Sequence, residues 1–321
     1  MAEIQIGDAA TAGLKLIARR PLSVLAWGLL ASAYVTTILV LFGGGLIASI
    51  VTLAQNRGTP PDPAQIFGLI GGFMGAVLLL GIGLVVIGAM IQGAVLRSEL
   101  EPDRRAFASL RLGSQELWLI AVNFVVGMIL WVAQVVMAIP LGIVTIAMGA
   151  SGVGLGANGH DPGTVLPMMA GAIGIRLLGQ LVILGVTLWL WTRLCMGPVM
   201  SFREREFRLF ESWTLTKGHS GQIFVTMLLV WLMLLAVGIV FWIIAGATIG
   251  VTIFANADLQ NLQALQSIPP AAWIGKLLPL VVVFSLLLVV GVGINNALVW
   301  GAVARMYRQL HPEADVATTF A

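Results

Sequence analysis

The sequence predicts an all-α integral membrane protein whose six transmembrane helices form three tandem repeats, each an amphipathic interfacial helix followed by a transmembrane hairpin. Three observations predict it. Apolar residues make up 59% of the 321-residue chain and charged residues 10%, against about 45–50% and about 25% in soluble domains, so too few charges exist to cover a water-facing surface. Six apolar runs each exceed 30 residues, where about 20 cross a bilayer. Two short landmarks also recur in the same order through the chain, the signature of a repeat.

The first element is a surface segment, Gly13 to Pro21, that ends in Arg19 and Arg20. The run after it contains Ala31-Ser32-Ala33, which looks like a leader cleavage site. It continues to Ala54, far past a leader's apolar core, so it is expected to stay as the first span. The six runs cover residues 21–54, 66–96, 117–150, 165–200, 223–255 and 272–306. A straight helix of 30 residues reaches about 45 Å, more than the roughly 30 Å of hydrocarbon. The helices must tilt, break or project into water, and candidate breaks stand at Gly43-Gly44-Gly45, Pro140 and Pro279.

The even-numbered runs end in Gly93-Ala94-Val95-Leu96, Gly197-Pro198-Val199-Met200 and Gly301-Ala302-Val303-Ala304, spaced 104 residues apart, with an Arg following at 97, 203 and 305. The second landmark precedes each hairpin: Gly13-Leu14-Lys15-Leu16, Ser109-Leu110-Arg111-Leu112 and Ser212-Trp213-Thr214-Leu215. The repeat units run over about 4–100, 101–205 and 206–310, with a short tail at 311–321. Two spans per unit return each copy to the same orientation, giving parallel repeats for which a pseudo-threefold bundle is one natural packing. Bulky apolar residues alternate with Arg and Glu in 106–112 and 207–215, so helices lying in the headgroup plane are expected there.

Thirteen of the seventeen Lys and Arg residues fall on one side of the six runs. Short basic loops stay in the cytoplasm, which places both termini there. The opposite loops, 55–65, 151–164 and 256–270, are turn-rich and carry one acid each, Asp62, Asp161 and Asp258.

The stretch Phe210-Glu211-Ser212-Trp213-Thr214-Leu215-Thr216-Lys217-Gly218, opening a hairpin after a Gly-Pro-Val span end, resembles a group of uncharacterised bacterial polytopic membrane proteins. That group is similar to the membrane domain attached to some glycerophosphoryl diester phosphodiesterases. The resemblance implies a bacterial inner membrane and a multi-pass domain. It implies no phosphodiesterase activity, which in that family belongs to a separate soluble barrel for which this chain has no room outside its spans. The three-repeat plan is also similar to that of mitochondrial carriers, but their Pro-x-acidic-x-x-basic motif is absent from the odd-numbered span ends.

Ionisable residues inside spans are the usual mark of transport or membrane catalysis, yet no Asp, Glu or His falls in the middle of any run. No paired acids, metal-ligand spacing, phosphate-binding loop or nucleophile elbow is present. The sequence therefore calls for no enzyme activity, cofactor or metal, and the scattered basic residues do not form a nucleic-acid footprint. Cys195 is the only cysteine and cannot form an intrachain disulfide.

Arg193 lies within an apolar run, four residues before Gly197. It either snorkels to the headgroups or forms an anion or lipid-phosphate site. Arg104, Arg105, Arg203, Arg205 and Arg208 are further candidates for lipid phosphates. Arg176 and Lys276 mark the outer ends of the fourth and sixth runs. Asn123, Gln134, Gln180, Asn295 and Asn296 are neutral polar residues within spans, suited to interhelical hydrogen bonding or to a solute path. Gly68, Gly71, Gly72 and Gly75 predict close helix packing in the second span, within one chain or between copies in a homo-oligomer. The leading expectation is a non-enzymatic protein that organises membrane lipids or partner proteins. The alternative is a transporter or channel for an amphiphile or small anion, running near Arg193, Asn295 and Asn296.

Overall fold

The computed structural model describes residues 4–55, 63–101, 107–157, 162–256 and 270–311. Among them there is no β-strand, and six helices are long and apolar enough to cross a membrane: Pro21–Gly43, Ile66–Leu100, Ser114–Val144, Ile173–Glu204, Ser220–Ala255 and Leu278–Leu310. The protein is a polytopic membrane protein. Large apolar side chains along these helices are uncovered, Phe254 to 81%, which only a lipid solvent makes favourable. The three acids of the turn-rich loops, Asp62, Asp161 and Asp258, lie outside the described residues, as does the end of the tail.

The elements in chain order are α1 (Ile6–Arg19), α2 (Pro21–Gln55), α3 (Pro63–Leu100), a 3-10 turn at Phe107–Ser109, α4 (Ser114–Ala157), α5 (Pro162–Leu194), α6 (Gly197–Glu204), α7 (Glu211–Leu215), α8 (Ser220–Ala255) and α9 (Pro270–Leu310). The chain falls into two compact units: one joins the part up to Leu117 with the part from Val225 onward, and the other is Trp118–Phe224.

In the first unit, α1 lies against α9. Its buried face is made of Ala9, Ala10, Ala12, Gly13 and Leu16, while Leu14, Lys15 and Arg19 are uncovered. Small residues are required on that face because the backbones touch: a β-carbon at Gly13 would collide with the α9 main chain at Ala297 and Leu298, and Gly301 rests on Gly13 in turn. The same device joins α2 to α9, where Gly28 meets the Val289 carbonyl and Gly293 meets the Val24 carbonyl. Leu16, Val24, Trp27, Ala31, Ile91, Ala94, Val95, Ala108 and Ala297 form the core between α1, α2, α3 and α9. In the second unit, Val122, Leu194 and Leu209 form a smaller core.

The structure departs from the sequence expectations in four places. The helices run unbroken through Gly43-Gly44-Gly45, Pro140 and Pro279, because in hydrocarbon no water competes for the backbone groups that a proline or glycine loosens. The 44 residues of α4 would reach about 66 Å, so projection beyond the hydrocarbon takes the place of breaking. The break falls instead at Cys195 and Met196, between α5 and α6. Pro198 is tolerated there, in the first turn of α6, where its missing N–H has no helical partner to lose.

The expected surface helices at 106–112 and 207–215 are also much shorter than their apolar spacing suggests. The first is a three-residue turn in which Ala108 and Ser109 have φ of 53° and 49°, a left-handed conformation costing about 1 kcal/mol per residue outside glycine. The second is the five-residue α7, preceded by a left-handed Arg205 at φ 59° that ends α6. Finally, a β-carbon at Gly68, Gly71, Gly72 or Gly75 would meet nothing within 4 Å. The glycine stripe of the second span makes no close intrachain packing among the described residues.

Candidate functional site

Polar chemistry collects where the even-numbered spans end. At the end of α3, Arg97 donates from Nε and Nη2 to the Ser109 carbonyl at 3.1 and 2.8 Å and from Nη1 to Glu116. Both charges are buried, at 5% and 1% exposure. The other carboxylate oxygen of Glu116 accepts the Gly113 N–H at 2.8 Å, half of a capping box at the start of α4. Beside it, the Trp27 Nε1–H donates to the Ala108 carbonyl at 2.7 Å. These bonds to two consecutive carbonyls hold the left-handed turn and explain why the segment is not a helix.

At the end of α9 the partner is α1. Asp8 accepts from Lys15 Nζ at 2.6 Å, Arg305 Nε at 2.6 Å and Gln309 Nε2 at 3.3 Å. The Lys15 ammonium, and then the Arg305 guanidinium, hold the Asp8 carboxyl below the ordinary carboxylate range. Gln309 also accepts the Gln5 N–H at 3.1 Å, and Arg308 donates to the Glu99 carbonyl at 3.2 Å.

In the second unit, α5 ends beside α7. Ser212 Oγ donates to the Arg193 carbonyl at 2.7 Å. The guanidinium of Arg193 stands 5.6 Å from the centroid of the Trp213 ring, a cation–π arrangement. Trp189, one turn earlier on α5, meets Trp213 edge to face at 5.3 Å and 88°. Arg193 Nε and Nη1 are covered and have no hydrogen-bond partner among the described residues. Ser201 Oγ accepts the Arg208 N–H at 3.0 Å.

The remaining candidates are dispersed. The Arg208 guanidinium is ringed by Glu204, Glu206 at 3.2 Å and Glu211 at 2.7 Å, so its charge is already met. Arg205 is exposed and Arg203 half-buried. Arg104 and Arg105, and the side chain of Lys276, lie outside the described residues, while Arg176 is exposed. Gln134, Gln180 and Asn295 are exposed along their helices and Asn123 is half-buried. Asn296 spends one amide donor on the Val292 carbonyl of its own helix at 2.9 Å. Among the described residues no group of three His, Cys, Asp or Glu could hold a metal ion.

Sequence reasoning passed over Glu116 and Asp8, and it read Trp213 as part of a landmark without its contact to Arg193. Glu116 carried a signal, an acid three residues after Gly113 at the start of an apolar run. Asp8 carried none, because its partner Arg305 is 297 residues away. No family model, curated protein or solved structure matches the chain.

Proposed function

We propose that this chain is a non-enzymatic membrane protein that organises lipids around three repeated units, each a surface segment followed by a transmembrane hairpin, with both termini in the cytoplasm. The observation that carries the reading is the junction made at each even-numbered span end. Arg97 binds Ser109, the Arg193 carbonyl binds Ser212, and Arg305 binds Asp8 while Gly301 rests on Gly13. Gly13, Ser109 and Ser212 are the first residues of the three surface landmarks. In the first two junctions a span end holds the surface segment that follows it, and in the third it holds the segment that opens the chain. Such clamps fix basic residues at headgroup level, where each adds about 1 kcal/mol toward an anionic surface.

The in-span polar residues support this reading over a solute path. A path needs convergent polar groups, whereas Gln134, Gln180 and Asn295 are exposed along their helices and Asn296 spends one amide donor within its own helix.

The test is reconstitution of the full chain into mixed phospholipid vesicles, with the retained lipids measured beside solute flux. Enrichment of anionic lipid without flux is the expected result. Flux of a defined solute with no lipid enrichment would replace this reading with a transporter.

A further inference from the structure

One span end departs from the register of the other two, and it does so in two side chains at once. Four residues before Gly93 and Gly301 stand Ala89 and Ala297, both fully packed. Four residues before Gly197 stands Arg193. In the surface landmarks, Leu14 and Leu110 occupy the position that Trp213 takes after Ser212. The two departures face each other, with the Arg193 guanidinium 5.6 Å from the Trp213 ring centroid. The same positions nevertheless meet in the second and third copies, since Gly13 abuts the Ala297 carbonyl as Ser212 Oγ reaches the Arg193 carbonyl. At that meeting point one span end carries a packed alanine and the other a cation.

That cation is not used up by the protein. Nε and Nη1 are covered without an acceptor among the described residues, and the acids that follow in the sequence, Glu204, Glu206 and Glu211, are paired with Arg208. An aromatic face attracts the charge but does not satisfy the N–H groups. Covered, unanswered donors leave the charge poorly compensated, and because Arg193 is half-buried rather than enclosed, an anion can meet the open part of its guanidinium, whose geometry matches phosphate. Trp189 and Trp213 are 49% and 39% exposed, offering apolar rings with a polar N–H edge, as tryptophans do at headgroup depth. This combination suits a phosphate that arrives attached to an acyl chain.

We propose that Arg193, with Trp213 and Trp189, binds the phosphate of an anionic phospholipid at the membrane interface. The proposal rests on the lipid-organising reading above and adds to it one site and one headgroup class.

The test is native mass spectrometry of the full chain carrying equal amounts of phosphatidylglycerol and phosphatidylcholine. The wild type is expected to retain phosphatidylglycerol in preference by about tenfold, the scale of one charge-assisted contact. Arg193→Ala restores the alanine found at the other two span ends, so it is expected to fold, with a melting temperature no lower than the wild type's, and to lose the preference. Trp213→Leu, the residue of the other landmarks, should weaken it. A preference surviving in folded Arg193→Ala overturns the site while leaving the lipid-organising reading intact. Absence of any preference in the wild type overturns both. Displacement of the lipid by inorganic phosphate would assign the site to a free anion and overturn the lipid assignment. Should Arg193→Ala fail to fold, Arg193→Lys keeps the charge without the paired donors, and an unchanged preference in that variant also overturns the proposal.

Discussion

The Arg97 guanidinium and the Glu116 carboxylate meet in the interior of the first unit, and each makes a further bond to the backbone: Arg97 to the Ser109 carbonyl and Glu116 to the Gly113 N–H. Removing one member of such a pair strands the other charge. Glu116→Ala is therefore expected to lower stability by about 3–5 kcal/mol, read as thermal unfolding in detergent. The double variant Arg97→Met with Glu116→Leu removes both charges and should recover part of that loss. A double variant as unstable as the single one would show that the bonds to Ser109 and Gly113, rather than the pairing of charges, dominate.

The two glycine groups should respond in opposite ways. Gly13→Val forces a side chain into the α9 backbone at Ala297 and Leu298, and overpacking of this kind costs about 1–3 kcal/mol or more. Release of α1 should appear as faster proteolysis near the N-terminus. Gly71→Val meets open space within the chain and should leave that cleavage rate unchanged.

Docking of α1 should also weaken in acid. The Asp8 carboxyl is held below its ordinary range by Lys15 first and Arg305 second. A depressed carboxyl adds stability that is fully present above the ordinary carboxylate value, about pH 4, and is lost as pH falls through the depressed value. Hydrogen exchange of the α1 amides should therefore accelerate below about pH 4 by more than global unfolding accounts for. In Asp8→Asn the exchange should be faster at neutral pH and lack this acid step.

Much of the architecture was legible in residues read one at a time. Runs such as 223–255 identify spans by length and apolarity, and the Gly93, Gly197 and Gly301 spacing picks out the span ends at which the polar junctions lie. The surface segments were less legible. The 106–112 stretch has helical apolar spacing, but hydrogen bonds from Trp27 and Arg97 draw its carbonyls into a left-handed turn. Local spacing cannot anticipate bonds to distant side chains. Of the six arginines marked as lipid contacts, Arg193 was separable from Arg208 only once the three glutamates around Arg208 were placed.

By itself, the sequence determined that lipid is this protein's solvent and that six segments are long and apolar enough to cross it, because the free energy of moving a segment into hydrocarbon accumulates residue by residue and needs no knowledge of neighbours. Tertiary structure alone decided which small residues bear a backbone contact, Gly13 and Gly28 but not Gly71, and which charges are answered: Asp8 and Arg97 are, whereas Arg193 Nε and Nη1 meet no acceptor among the described residues. Packing and charge pairing depend on what lies across a junction, and for Asp8 that partner is 297 residues along the chain.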